Sequence, residues 1–514
     1  MSSIIPNRFL QEGRDLSPEL EHARVEIEAL ARSYGLDFFE TRFVMCTYEE
    51  INMVAAYGGF PTRYPHWRFG MDYLETQKSY EWGLGKIYEL VINTDPSYAY
   101  LMDNNLPVDQ KLVMAHVFGH VDFFKNNLWF QHTNRKMLDQ MANHATIVRR
   151  IQERHGEAQV ERFIDLVLSL DNLIDPYAQH ITRSHGPVSE EVVEAAEVDK
   201  EIGKLKSGQR YMDKYVNPPE FLEAQRKKKA AEIAQMKRFP EEPTRDVLGF
   251  LLEHAPLQKW QRQIIAIMRD EAYYFAPQGM TKIMNEGWAS YWHTKLMTRH
   301  VLTDAEIIDF ADHNAGTMAM QPGQLNPYKL GVELWRHIEK RWDKGQFGKE
   351  WLDCTDPDKG QTWDTGAGLG QDKIFQVRRT HNDITFIDEF LTEEFCAEQG
   401  FFTTTYDKKA ERWVVDSTQF TDIKQQLLDM LATRGTPRVF ITDANAFNRG
   451  ELRIDHQHEG LDIQLEWASQ VLGNLARIWS RPVHLDTEVD GKGIRLTHDG
   501  SELTRSARKE EEET

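Results

Sequence analysis

The sequence predicts a mainly helical N-terminal domain with a few strands, followed by a small α+β domain. Apolar residues recur at helical spacing through most of residues 1–360. After Gly360, glycine and aspartate become frequent and short runs with strand character appear. We therefore predict two domains, residues 1–360 and 361–514, the second of which ends in a charged tail.

The composition is typical of a globular protein and limits its partners. The 514 residues are 40% hydrophobic and 11% aromatic, enough for a large core. The 81 acidic and 61 basic side chains give a formal charge of −20, which repels nucleic acid and anionic lipid. No stretch approaches the ~18 apolar residues of a membrane span, and the first residues lack the apolar run of a signal peptide. We expect neither nucleic-acid binding nor membrane insertion.

The cysteines indicate the compartment. Only Cys46, Cys354 and Cys396 are present, widely spaced and without a CxxC pair. Such sparse usage suits a reducing environment. We therefore expect a cytoplasmic protein.

Helix patterns dominate the N-terminal domain. The first runs over residues 20–34 behind a Ser-Pro-Glu start at Ser17, and a strand pattern follows at 88–92. A helix that carries two histidines begins after Pro107. Further helices are predicted over 133–155, 157–173, 245–254, 259–274, 280–298, 304–320 and 328–342.

Two segments depart from this helical pattern. Residues from about 185 to 245 are highly charged and indicate a solvated excursion whose basic run, 226–229, is either a docking patch or a wet helix face. In the C-terminal domain, strands are predicted at 413–416, 438–442, 451–455 and 483–487, with a helix over 461–479.

Two histidines four residues apart, His116 and His120, are the first candidate metal ligands. Residues at i and i+4 lie on one face of a helix, so both imidazoles can reach one ion. Zinc metallopeptidases use this spacing with a glutamate directly after the first histidine as general base, but Val117 stands there. Gly119 costs helix stability and favours close packing at that turn. The alternative is a pair of core histidines.

Glu286 is the predicted third ligand. Its neighbours in the segment 284–293 are too apolar for an exposed helix face, so its carboxylate needs a cation or hydrogen bonds. Pairing the histidine helix with this glutamate helix would give a zincin-like His₂Glu site with an open position, for zinc or another divalent metal. His293, two turns along the same face, is predicted to hydrogen-bond a ligand or to replace a histidine. His313 is a further candidate for the same role.

Glu49 and Glu50 are the candidate catalytic bases, because no carboxylate follows His116. They precede an aromatic segment, residues 56–70, which would bring them to the ion if it folded over the histidine helix. Asp122 is turned roughly 200° from His120 and is a poor base. The alternative for Glu49 and Glu50 is that they are solvated carboxylates.

His66, Trp67 and Asn127 are the candidate substrate-binding residues. Flat aromatic rings with polar tips suit sugars or peptide stems, although an aromatic loop that plugs a core would have the same composition. The Asn127 amide suits a substrate carbonyl or a helix end.

Several long segments have unusual sequences: residues 56–70 (Ala-Tyr-Gly-Gly-Phe-Pro-Thr-Arg-Tyr-Pro-His-Trp-Arg-Phe-Gly), 120–127, 284–293 and 326–331, with a C-terminal pattern at 452–456 and 475–487. These segments resemble the stage V sporulation protein R family, SpoVR. The resemblance implies a bacterial cytoplasmic protein linked to spore cortex formation and so to peptidoglycan. The family also occurs in bacteria that never sporulate, and the resemblance brings no settled biochemical activity with it.

Three functions are consistent with these residues. The first is a metal-dependent hydrolase that cuts an amide in a cell-wall peptide or its precursor. The second is a regulatory scaffold, with or without metal, that binds proteins of the cell-wall or stress pathway; the valine after His116 favours it over the first. The third is a sensor that binds a muropeptide-like ligand with the aromatic segment.

Overall fold

The structure, a computed structural model, describes residues 15–81, 89–180, 218–225, 239–319, 325–407 and 412–508. The chain forms two compact units, Met1–Glu157 with Tyr274–Arg434, and Ala158–Tyr273 with Gly435–Thr514. As predicted, the protein is mainly helical with a few strands and has a C-terminal sheet. These units do not coincide with the two predicted domains, residues 1–360 and 361–514. The division near residue 360 into two parts that fold independently stays a prediction. Most of the charged excursion, with the basic run at 226–229, lies outside the described residues.

Helices make up most of the first unit. They are α1 (Pro18–Ser33), α2 (Tyr48–Ala56), α3 (Trp67–Glu81), α4 (Pro107–Asn126), α5 (Met137–His155), α9 (Lys282–Leu296), α10 (Ile307–Met318), α11 (Pro327–Asp343), α12 (Gly348–Leu352), α13 (Pro357–Thr362), α14 (Gly370–Thr380), α15 (Asp383–Phe390), α16 (Glu393–Gln399) and α17 (Phe420–Thr433). Capping residues set several of their starts. Ser17 accepts a hydrogen bond from the Leu20 N–H at the start of α1, as its sequence predicts.

A three-stranded sheet lies in this unit, in the order β1 (Thr41–Cys46), β3 (Ser97–Met102), β2 (Leu90–Ile92). β1 and β3 are parallel, with Thr41 opposite Ser97, and β2 is antiparallel to β3. The short strand β2 is therefore at an edge of the sheet. A separate hairpin joins β4 (Thr404–Asp407) to β5 (Arg412–Val415).

From the sequence, residues 370–399 were assigned to the beginning of the α+β domain. In the structure these residues form three helices, α14, α15 and α16. Their buried side chains, among them Ile374, Val377, Phe386 and Phe395, belong to the same hydrophobic core as Val113 of α4. The buried Arg378 also pairs with the buried Asp122, at 3.0 Å. Residues 370–399 thus complete the core around the histidine helix.

The second unit contains the C-terminal sheet and, N-terminal to it, helices that include α6 (Glu157–Leu168), α7 (Val247–His254) and α8 (Lys259–Met280). The last residues of α8 belong to the first unit. The five strands lie in the order β10 (Leu503–Ala507), β9 (Lys492–His498), β8 (Val483–Val489), β7 (Glu451–His456), β6 (Val439–Ala446). β7 and β8 are parallel, and the helix between them, α18 (Leu465–Trp479), packs on β8 and β9. The predicted strands and helix of this region are confirmed; β9 and β10 had not been predicted.

Among the helices in the described part of the chain, none is both long enough and apolar enough to cross a bilayer.

Candidate metal centre

Helix α4 carries His116 and His120 into the centre of the first unit. Proline at its first turn suits the helix start, and every residue from Leu112 to Phe124 is buried. The two imidazoles are only 3% and 4% exposed, with ring centroids 4.5 Å apart. Histidines buried to this extent need polar partners. Those partners are two glutamates.

Glu89 and Glu286 complete a cluster of four potential ligand atoms. Nε2 of His116 lies 3.1 Å from Oε1 of Glu89 and 3.9 Å from Oε2 of Glu286. Nε2 of His120 lies 3.6 Å from Glu89 Oε1 and 3.5 Å from Glu286 Oε2. All four ligand atoms lie within 4.8 Å of one another. The structure therefore brings together the three predicted ligands and adds a carboxylate.

Glu89 was missed by the sequence analysis. It stands directly before strand β2 and has no helical spacing relation to the histidines. A strand had been predicted at this point, before the histidine helix. The carboxylate at the start of that strand was the only signal that could have identified it.

Helix α9, which carries Glu286, packs closely against two neighbouring helices at glycine residues. A Cβ on Gly287 would lie 2.4 Å from the carbonyl carbon of Gly331 in α11, and a Cβ on Gly119 would lie 2.7 Å from Cα of Ala289. Helix α9 is thus packed backbone to backbone between α11 and α4. The close approach that Gly119 predicted is confirmed.

The first turn of α9 is capped by a distant carboxylate. Asp383, at the start of α15, accepts hydrogen bonds from the N–H groups of Ile283 and Met284, both at 2.9 Å. No capping side chain is present at Thr281, the residue before the helix. Asp383 therefore satisfies two N–H groups that a buried helix start would leave without an acceptor.

Hydrogen bonds behind the histidines orient their rings. Nδ1 of His120 donates to Oδ1 of Asn285 at 2.9 Å. Nδ1 of His116 is 2.7 Å from Nδ1 of His293, whose Nε2 donates to Oδ1 of Asn314 at 3.4 Å. Because His293 donates through Nε2, its Nδ1 accepts from His116. Both ligand candidates thus use Nδ1 as donor and turn Nε2 toward the carboxylates, as metal-binding histidines do.

The charges of the cluster depend on one another. Burial lowers the pKa of His116, but the negative charges of Glu89 and Glu286 outweigh it and raise that pKa to about 9. Burial raises the pKa of Glu89, but the two histidines outweigh it and hold that pKa well below its usual range. Burial, assisted by the charge of His116, lowers the pKa of His293 to about 3, so this ring is neutral. Without a metal, a proton on His116 supplies the positive charge between the carboxylates.

The cluster has the properties of a divalent-cation site. Nε2 of His116 and Oε2 of Glu286 are buried and make no hydrogen bond within the described part of the chain. Two imidazoles and two carboxylates form a donor set that suits zinc and other first-row divalent metals. The residues therefore fit a metal, and their assignment as ligands stays a prediction.

The cluster lies in the wall of a cavity of about 560 Å³. Polar groups from α10 and α11, including His313, Asn314 and Tyr328, share the cavity with apolar side chains. Burial and the charges of Glu286 and Glu89 raise the pKa of Tyr328, which therefore stays protonated. The other lining residues are Ala55, Gly58, Gly59, Phe60, Leu90, Val91, Ile92, Asn93, Leu112, Val113, Phe124, Phe130, Tyr274, Phe275, Gln278, Asn285, His293 and Thr317.

The structure does not bring Glu49 or Glu50 to this cavity. Glu50 accepts a hydrogen bond from the Thr47 N–H at 2.7 Å and closes a capping box at the start of α2. Glu49 is exposed in the first turn of the same helix. The described residues that line the cavity include neither of them. The hydrogen bond of the capping box, rather than an ion, accounts for the position of the Glu50 side chain.

The three candidate substrate-binding residues also lie away from the cavity. His66 is buried and accepts a hydrogen bond from the Arg68 N–H at the start of α3, whereas Trp67 is 56% exposed. Asn127 is buried and donates to the carbonyls of Arg378 and His381, at 2.7 and 2.9 Å. The amide of Asn127 thus joins the end of α4 to α14.

Comparison with known proteins gives one family and one curated relative. The family described as "SpoVR like protein" matches residues 15–436. A protein of Escherichia coli (strain K12), named "Uncharacterized protein YcgB", is 28% identical over 508 residues, which cover 92% of each chain. No solved structure is significantly similar to this chain. Because the family match spans most of the sequence, including the histidine and glutamate helices, the chain belongs to the SpoVR-like protein family.

Proposed function

We propose that this protein is a metal-dependent hydrolase that cleaves an amide bond, with Glu89 as its general base. His116, His120 and Glu286 would hold zinc or another divalent metal through a zincin-like pairing of α4 with α9. When bound, the metal would polarise the substrate carbonyl and make a water molecule more acidic. The observation that carries the proposal is the Glu89 carboxylate at 3.1 and 3.6 Å from the two Nε2 atoms.

Glu89 supplies what position 117 cannot. The residue after His116 is Val117, whose side chain is fully buried in the core and cannot accept a proton. Strand β2 instead places a carboxylate before the same two histidines. A carboxylate there can take a proton from a water molecule in the cavity. Tyr328, held in its protonated form, is a hydrogen-bond donor for a substrate carbonyl.

We further propose a peptide of peptidoglycan, or its precursor, as the substrate, and the cytoplasm as the location. The family's link to the spore cortex supports the first part. The three free cysteines support the second, because they suit a reducing compartment. A cytoplasmic enzyme would act on precursors or on recovered wall fragments.

A regulatory scaffold is the second candidate, and one distance favours it. Oε1 of Glu89 lies closer to Nε2 of His116 than Oε2 of Glu286 does, 3.1 against 3.9 Å. If Glu89 is a fourth ligand, a tetrahedral ion has no position left for water, as in structural zinc sites. The protein would then bind partners of the cell-wall or stress pathway. A muropeptide sensor that uses His66 and Trp67 has less support, because neither residue lines the cavity.

Metal content and turnover of one variant separate these functions. Wild type and Glu89→Gln are analysed for metal by inductively coupled plasma mass spectrometry and incubated with peptidoglycan stem peptides, whose products are identified by mass spectrometry. For a hydrolase with Glu89 as base, the variant keeps its metal and loses turnover. For a scaffold with Glu89 as ligand, the variant loses metal and the wild type cleaves nothing.

A further inference from the structure

His313 and Asp109 form a hydrogen-bonded pair at the cavity. Nδ1 of His313 is 2.9 Å from Oδ1 of Asp109, and the two side chains are 11% and 17% exposed. An ionised carboxylate only accepts hydrogen bonds, so Nδ1 carries the proton. Nε2 is the other ring nitrogen of His313. A carboxylate that holds one nitrogen of an imidazole fixes the orientation of a ring that acts as acid or base through its other nitrogen.

The pair stands beside the four converging ligand atoms rather than among them. Asp109 precedes His116 by two helical turns on the same face of α4. His313 lies on α10 and lines the cavity, and the next residue, Asn314, accepts a hydrogen bond from His293. His293 in turn contacts His116. His313 therefore lines the same cavity as the cluster and reaches it from another helix, α10.

Another contact already holds these helices together. Nζ of Lys111, on α4, is 2.8 Å from Oε1 of Glu306, the residue before α10. Both side chains are less than one-fifth exposed. Lys111 therefore offers a contact of similar length and burial between the same elements, which does not line the cavity. It provides a matched structural control for the Asp109–His313 pair.

We propose that His313, oriented by Asp109, is the general acid of the reaction; this rests on the hydrolase proposed above. Glu89 accepts a proton from water as the water oxygen bonds to the carbonyl carbon. His313 gives the proton on Nε2 to the amide nitrogen as the C–N bond breaks. Glu89 then passes its proton to the released amine, and the new carboxylic acid loses the proton that restores His313. The products are a carboxylate and an ammonium ion.

The test compares two leaving groups on one acyl group. The probes are an acyl p-nitroanilide, whose leaving nitrogen must be protonated, and the corresponding p-nitrophenyl ester, whose phenolate leaves without a proton. His313→Asn keeps a donor for Asp109 but removes the acid. We expect its kcat/KM to fall by ~10²–10⁴-fold for the anilide and to change little for the ester, with metal content unchanged. Lys111→Met should change kcat/KM for both substrates by the same factor.

A second readout does not depend on turnover. Long-range ¹H–¹⁵N spectra of histidine-labelled, metal-loaded protein, assigned with His313→Asn, should show a proton on Nδ1 of His313. A bare Nδ1, or equal losses for anilide and ester in His313→Asn, would overturn the acid role and leave the hydrolase standing. Metal-loaded wild type that cleaves neither probe nor any stem peptide would overturn the hydrolase, and the acid role with it.

Discussion

The carboxylate of Glu89, before an edge strand, lies 3.1 Å from Nε2 of His116 in the middle of a buried helix. The strand and the helix come together because β3 lies between them in sequence and pairs with β2. A carboxylate can therefore enter a histidine site from the start of a strand, without following the first histidine on its helix.

Replacing Glu89 tests whether it is the base. Glu89→Gln should lower hydrolysis by ~10²–10⁴-fold because the amide cannot accept the proton of water. Glu50→Gln tests the alternative predicted from the sequence: it should change stability by less than about 1 kcal/mol, because the Gln amide oxygen still accepts the Thr47 N–H in the capping box, and it should leave turnover unaffected. Rates on stem peptides and denaturant unfolding measure the two effects. A larger loss of turnover in Glu50→Gln than in Glu89→Gln would instead identify Glu50 as the base.

Metal content tests the cluster itself. Wild type should contain about one divalent metal per chain, with ligand atoms at ~2.0–2.2 Å if the ion is zinc. His116→Ala/His120→Ala should contain none, because it removes both nitrogen ligands. His381→Ala is the matched control, since this histidine contacts Glu389 at 2.8 Å and does not line the cavity. Stoichiometric metal in the double variant would refute the site.

The affinity for metal should depend on pH. The pKa of His116 is raised to about 9, so at neutral pH a proton occupies the nitrogen that the metal needs. Binding should release about one proton at pH 7, and affinity should rise about tenfold per pH unit up to about pH 9. Calorimetry in buffers with different ionisation enthalpies measures the released protons. An affinity that does not change between pH 6 and 9 would contradict this protonation state.

The same pKa predicts how the stability of the metal-free protein changes with pH. The folded pKa of His116 lies above the ordinary value of 6.5, so protonation favours the folded state. That contribution is fully present below about pH 6.5 and is lost as pH rises through about 9. Thermal unfolding of metal-free protein should reveal the loss, and His116→Gln should lack it.

Asn285 should influence metal binding without touching the metal. Its Oδ1 accepts from Nδ1 of His120 and so turns Nε2 toward the carboxylates. Asn285→Leu removes the acceptor at similar volume and should weaken metal binding by about 10–100-fold. Competition with a chelator measures the affinity. An unchanged affinity would mean that packing alone orients the ring.

The contact between Gly287 and Gly331 should tolerate no side chain. A Cβ on Gly287 meets backbone atoms of α11 at 2.4 to 2.8 Å, so Gly287→Ala must separate the helices and displace Glu286. We expect a loss of roughly 1–3 kcal/mol and weaker metal binding. Gly70→Ala is the control, because a Cβ there meets nothing within 4 Å and should add about 0.5–1 kcal/mol. Denaturant unfolding distinguishes the two results.

The sequence predicted the parts of the site that follow helical periodicity. His116 and His120 share a helix face, and the apolar neighbours of Glu286 indicated a buried carboxylate with a partner. The Glu89 contact was not predictable in this way, since strand pairing determines it and no local spacing encodes it. The sequence predicted no helix over residues 370–399, where the structure has three. The capping residues Asn382 and Thr392 resemble turns in sequence, yet they start helices that complete the core.

The hydrogen bonds that Ile283 and Met284 donate to Asp383 join residues that are synthesised far apart in time. The N–H of Ile283 leaves the ribosome 100 residues before the carboxylate that accepts its hydrogen bond. Until α15 follows, the buried start of the glutamate helix has two donors without their acceptor. An ion that meets the nascent chain earlier therefore encounters the histidines before Glu286 is fixed beside them. A metal held by the complete set of four side chains would therefore bind only after the chain has passed residue 383.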